Sequence, residues 1–88
     1  MEQYQVIVQK SVVKFLKKID KKSLKMIDGA LELLKSNPRP PKAIKLTNED
    51  LWRVRVGDFR IIYEIEDKIL TVQIIRIGRR NNVYKFKR

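Results

Sequence analysis

The chain has 88 residues, 43% of them apolar, and its 21 Lys and Arg against 10 Asp and Glu leave a formal charge of +11. That length supports one domain over residues 1–88 with a single core; that charge repels itself in the compact state and suits a polyanion, whether nucleic acid or an acidic protein. The absence of cysteine and histidine excludes disulfides, thiolate and imidazole metal sites, a Cys–His nucleophile pair and a histidine general base, so no metal and no cofactor is expected.

The opening Met1-Glu2-Gln3-Tyr4 lacks the apolar core of a signal peptide, and no run is long enough to cross a bilayer; a cytoplasmic protein with no membrane role is expected. Gln3 to Val8 reads as a short strand. Ser11 is a good N-cap for a first helix, in which Val12, Phe15, Leu16 and Ile19 recur at helical spacing. Asp20 or Ser23 caps a second helix with Leu24, Ile27, Leu31 and Leu34 along one side, and the prolines of Asn37-Pro38-Arg39-Pro40-Pro41 end it. Lys14, Lys18, Lys21 or Lys22, and Lys25 share a helical side, either as a solvated outer face or as a surface for RNA backbone or an acidic partner. Ala43 to Leu46 is a short edge strand or extended loop. Glu66-Asp67-Lys68 is a turn before the most apolar strand, Ile69 to Ile77, where Leu70, Val72 and Ile74 share the inner face and Thr71 and Gln73 the outer one. From Gly78 the chain leaves the sheet and ends in a basic tail.

Between these lies the stretch Trp52-Arg53-Val54-Arg55-Val56-Gly57-Asp58-Phe59-Arg60-Ile61-Ile62-Tyr63. Two alternating runs flank Gly57-Asp58, a dipeptide suited to a two-residue hairpin turn with glycine at positive φ. Pairing Val56 with Phe59 sets Arg55 opposite Arg60, Val54 opposite Ile61 and Arg53 opposite Ile62. One face becomes Trp52, Val54, Val56, Phe59, Ile61 and Tyr63, and the other gathers Arg53, Arg55 and Arg60. Like charges directly across a ladder cost roughly 0.2–1 kcal/mol. The arrangement makes physical sense if an anion sits between the arginines, and the planar guanidinium fork makes phosphate the leading candidate. The order β-α-α-(β)-β-β-β predicts a two-layer α+β domain, a mainly antiparallel sheet of four to five strands with a helical hairpin on one face and the arginine face left open.

The hairpin pattern, followed by Ile77-Gly78-Arg79-Arg80-Asn81-Asn82-Val83-Tyr84, closely resembles the RelE branch of the RelE/ParE toxin superfamily, and the resemblance extends over nearly the whole chain. It implies a first strand lying beside the last. It also implies the toxin of a type II toxin–antitoxin system, an endoribonuclease that cleaves messenger RNA in the ribosomal A site and inhibits translation until an acidic cognate antitoxin binds it. The expected catalytic residues carried over from the family are Arg53, Arg55, Arg60, Arg80 and Tyr84, with Arg79 and Lys85 extending the RNA-binding surface.

Metal-free cleavage would proceed by attack of a 2′-hydroxyl on the adjacent phosphorus, and preorganised cations would stabilise the charge that builds on the phosphoryl and leaving oxygens. Arg60 is assigned to the scissile phosphate and Arg80 to the leaving 5′-oxygen. Tyr84 would hold and stack the splayed nucleotide, and Arg53 and Arg55 would grip the backbone. Many relatives carry lysine where this chain has Arg53 and Arg55, and some carry histidine where it has Arg79. Arginine stays protonated. The general base is therefore open among Tyr84, acidified by surrounding arginines, Glu64 on the same face, and no strong base at all, with positioning on the ribosome carrying the rate. The alternatives are a ParE-like toxin that inhibits DNA gyrase without nuclease chemistry, and a basic RNA- or ribosome-binding module with weakened or no catalysis.

Overall fold

In the computed structural model, which describes residues 3–47 and 49–79, a five-stranded sheet carries two helices on one face. The elements are β1 (Gln5–Val8), α1 (Lys10–Leu16), α2 (Lys21–Ser36), β2 (Ile44–Lys45), β3 (Trp52–Val56), β4 (Phe59–Glu66), a 3₁₀ turn (Asp67–Ile69) and β5 (Thr71–Arg79). Strand order is β1-β5-β4-β3-β2, and β1 lies parallel to β5 while the other pairs are antiparallel. This is the expected α+β architecture, with the first strand beside the last and Ile44–Lys45 as the short edge strand. None of its described helices is long and apolar enough to cross a membrane.

The core forms between the helices and one face of the sheet. Val12 of α1 and Ile27, Leu31 and Leu34 of α2 pack with Val54, Phe59, Ile61, Tyr63, Val72, Ile74 and Ile77. Alternation along the strands explains this membership, since every second residue faces the helices. Leu24, expected in the same stripe of α2, keeps 39% of its surface exposed. The Asp20 carboxylate accepts a hydrogen bond from the Ser23 amide at 3.1 Å, so the second helix is capped as its sequence suggests.

The first helix differs from expectation at its start. It begins at Lys10, and Ser11 lies inside it. The Gln9 carbonyl accepts from both Val12 and Val13 at 3.0 Å, while the Gln9 amide still reaches the Ile74 carbonyl beside β1. Strand therefore passes into helix with no room for a separate serine cap.

The last strand also differs. Leu70 takes φ 48°, so the turn runs two residues further than expected and β5 spans Thr71–Arg79, with Gly78 inside the sheet. Thr71, expected on the outer face, is buried and donates from its hydroxyl to the Ile69 carbonyl at 2.9 Å. Against β4 the register slips between Ile62 and Tyr63: Ile62 faces Arg76 and Tyr63 faces Ile74, leaving Ile75 as the extra residue of a bulge. Strict alternation from Val72 and Ile74 would carry Arg76 into the core. The bulge turns Arg76 outward and returns Ile77 to the helices.

Candidate nucleic-acid interface

The hairpin has the register read from its sequence: Val56 pairs with Phe59, Arg55 with Arg60, Val54 with Ile61, Arg53 with Ile62 and Trp52 with Tyr63. Gly57 takes φ 58° at the first turn position, and a Cβ there would come within 2.7 Å of the Met26 Cε on α2. The positive φ is what favours glycine at that corner, since the Met26 methyl is the end of a flexible side chain and can swing aside. A two-residue turn makes its flanking pair, Val56 and Phe59, the hydrogen-bonded one. Arg55 and Arg60 are then the closer, non-hydrogen-bonded pair, with Cα atoms about 4.5 Å apart. Two guanidinium stems thus leave one face of the sheet side by side.

Around that pair the outer face is basic. Arg53 follows on β3, half-buried, and across Ile62 from it stands Arg76 of β5. Ile62 is fully buried although it lies outside the core between sheet and helices. Gly78 is paired with Arg60 and brings no side chain to crowd it. A groove of about 130 Å³ is lined by Arg55, Gly57, Asp58, Phe59 and Arg60. Beside it lies a broader concavity of about 670 Å³, where Lys42 and Ile44 from the far side of the proline loop meet Arg53 and Arg55.

Three of the five expected catalytic residues, Arg53, Arg55 and Arg60, are therefore together on the face that the helices leave open. Arg80 and Tyr84, and with them Lys85, lie outside the described residues. Arg79 is described and sits elsewhere: its guanidinium carbon is 4.9 Å from the centroid of the Phe59 ring, on the helix side of the sheet. Glu64 shares the arginine face, but it is four residues along β4 from Arg60, about 13 Å at the rise of an extended strand. That distance is too great for it to take a proton at a phosphate held by Arg60.

Two basic residues of this face were missed from the sequence. Arg76 is the only charge in the run from Ile69 to Ile77, and a charge due for the core by alternation was the available sign of a bulge. Lys42 reaches Arg53 and Arg55 because β2 pairs with β3 at Ile44 and Arg53, which nothing local to Lys42 encodes. The lysines at 14, 18, 21, 22 and 25 are exposed on the helical layer, away from the arginines.

At the other end of the hairpin the charges are matched. Arg39 of the proline loop makes two hydrogen bonds to the Asp67 carboxylate, at 3.2 and 2.8 Å, and the Tyr4 hydroxyl donates to the same carboxylate at 2.6 Å. The Arg39 guanidinium also stands 5.5 Å from the Trp52 ring centroid. Arg39, followed by Tyr4, holds the Asp67 carboxyl below its usual range. Behind this network the buried Tyr63 hydroxyl donates to the Pro38 carbonyl at 2.8 Å, and burial pushes its pKa up to about 12.

The same combination of elements is found in known proteins. Over residues 6–84 the sequence matches the family model for the ParE toxin of type II toxin–antitoxin systems, parDE. A candidate toxin RelE1 of Methanocaldococcus jannaschii is 32% identical over 88 residues, covering 93% of this chain and 96% of the relative. The chain belongs to the RelE/ParE toxin superfamily. Among solved structures, the RelE–RelB complex of Pyrococcus horikoshii OT3 contains a chain that is 28% identical, with TM-score 0.78 over 91% of this chain and 98% of that one. The RelBE2 toxin–antitoxin complex of Mycobacterium tuberculosis gives TM-score 0.79 at 25% identity, over 89% and 99%. A double arginine-to-alanine mutant of the Escherichia coli RelE toxin in the free state, at 17% identity, shares the fold with TM-score 0.80, over 97% and 92%. This RelE/ParE protein is accordingly a toxin of a type II toxin–antitoxin system.

Proposed function

We propose that this toxin is a ribosome-dependent endoribonuclease that cleaves messenger RNA in the A site without a metal. The observation that carries the reading is the juxtaposition of Arg55 and Arg60 on the open face, with Arg53 and Arg76 beside them. A fold with this little stability to spare gains nothing from setting like charges at the closest cross-strand spacing, whereas a phosphodiester placed between them would be gripped by two planar forks.

In the proposed reaction the 2′-oxygen attacks phosphorus while its proton leaves to a base. The bond to the 5′-oxygen breaks, and that oxygen takes up a proton, giving a 2′,3′-cyclic phosphate and a 5′-hydroxyl. Arg60 neutralises the phosphoryl oxygens. Arg53, Arg55 and Arg76 hold the flanking backbone, and Arg80 and Tyr84 keep the leaving-oxygen and stacking roles assigned from the resemblance. With Glu64 too far from Arg60, the base is Tyr84 or a group supplied by the ribosomal site.

A second reading has a specific observation behind it, since the matching family model is described by its ParE members. Under it the protein would inhibit DNA gyrase, and the arginine face would serve no chemistry. Mapping messenger 5′ ends after incubation with translating ribosomes separates the two. Breaks inside the A-site codon that vanish in Arg60→Ala support the nuclease; intact message together with gyrase-trapped DNA supports the second reading.

A further inference from the structure

β3 has a short stretch of open edge between the end of β2 and the hairpin turn. Val54 and Val56 exchange hydrogen bonds with β4, so Arg53 and Arg55 turn their N–H and C=O groups to the opposite edge. Among the described residues β2 pairs with β3 only at Trp52 and Arg53. The chain before it is turned aside, with the Ala43 amide donating to the Pro40 carbonyl at 2.9 Å. Arg55 therefore stands past the end of β2 and presents its backbone to a notch.

That notch is the concavity of about 670 Å³ lined by Pro41, Lys42, Ile44, Arg53, Arg55 and Gly57. Its charged residues are all cationic. Ile44, directly opposite Arg53, shares its face of the sheet and keeps 49% of its surface exposed. The proline loop that brings Lys42 and Ile44 here is fastened at Pro38 by Tyr63 and at Arg39 by Asp67, so the cations are held in place before a ligand arrives. An added strand does not fit: Arg55 alone is open between β2 and the turn, and Pro41 has no N–H to offer. A phosphate needs only one N–H with cations around it. Arg55 and Gly57 also line the smaller groove at the Arg55–Arg60 pair, so the two grooves adjoin. Arg53 and Arg55, two residues apart on one strand, are about 7 Å apart, a step that successive phosphates of an extended chain can follow. We propose that the notch is a second phosphate subsite for the message, taking the phosphate next along the chain from the one between Arg55 and Arg60. Lys42 and Arg53 neutralise it, the Arg55 N–H donates to it, and Ile44 lies against its sugar and base. This deepens the nuclease reading and rests on it for the choice of RNA as ligand.

The test titrates the full chain by NMR with a trinucleotide and a dinucleotide, which carry two internal phosphates and one, both 2′-O-methylated so that they are not cleaved. The trinucleotide should bind wild type about tenfold tighter, the scale of one charge-assisted contact, with a salt slope steeper by about 0.7. Lys42→Gln should erase both differences and leave the dinucleotide affinity and the circular dichroism spectrum unchanged. Lys14→Gln, on the helical layer, should leave both differences intact. A Lys42→Gln chain that keeps the gain, or a Lys14→Gln chain that loses it equally, would overturn the proposal. So would a capped Glu-Gly-Glu peptide, also carrying two negative charges, that depends on Lys42 as strongly as the trinucleotide does. Binding that Arg60→Ala weakens but Lys42→Gln does not would overturn this subsite and leave the nuclease reading standing. Failure of both oligonucleotides to bind through Arg60 would overturn both.

Discussion

The two ends of one hairpin treat charge in opposite ways. At the open end, Arg39 is met by both oxygens of Asp67, backed by Tyr4 and laid against Trp52, while Tyr63 behind them is tied to the Pro38 carbonyl. At the turn end, Arg55 is set against Arg60, with Arg53 and Arg76 added to the same face. The first arrangement fastens the proline loop to the sheet. The second sets two like charges side by side on the face that the helices leave open. Strand geometry is the same at both ends, so the difference lies in what stands across from each arginine.

The contrast can be broken at the turn end most forcefully. Arg60→Ala should lower messenger cleavage by about a hundredfold or more, the scale of one lost transition-state donor at roughly 2.7–4 kcal/mol, with the unfolding midpoint in urea essentially unchanged. Cleavage at the wild-type rate would remove Arg60 from the site. At the open end, Tyr63→Phe should leave cleavage alone and lower stability by about 1–3 kcal/mol, because the Pro38 carbonyl stays buried without its donor; urea titration measures this.

A subtler change sharpens the comparison. Arg55→Thr should raise stability, by roughly 0.2–1 kcal/mol as the like-charge pair is removed, while weakening binding of single-stranded RNA. If both properties fall together, the pair is not in conflict with folding. The mildest effect concerns acid. Asp67 has its pKa lowered in the fold, first by Arg39 and then by Tyr4, from the ordinary value of 3.8. A depressed folded pKa gives stability that is present above 3.8 and lost as pH falls through the folded value. Melting temperature followed from pH 6 down to about 2 should therefore drop less in Asp67→Asn than in wild type.

The hairpin was legible because its information is local. Gly57-Asp58 sets the turn, alternation sets the faces, and together they set every pair from Trp52–Tyr63 to Val56–Phe59 before any distant contact is considered. The helix pair was legible for the same reason, through the spacing of Val12, Phe15, Ile27, Leu31 and Leu34. Boundaries fared worse where two elements compete for the same residues. Gln9 serves β1 and α1 at once, so Ser11 is not a cap, and the left-handed Leu70 delays β5 past its apolar start.

By itself, then, the sequence determined the α+β class, the hairpin register and the gathering of Arg53, Arg55 and Arg60, because turn chemistry and a two-residue period act between near neighbours. Tertiary structure alone decided that Arg76 joins them, that Arg79 turns instead to Phe59 and that Lys42 lines one side of the face. Each of these depends on a bulge, a strand end or a loop return. Such features are settled by how distant segments share one core, and the charged residues then point wherever that packing leaves them.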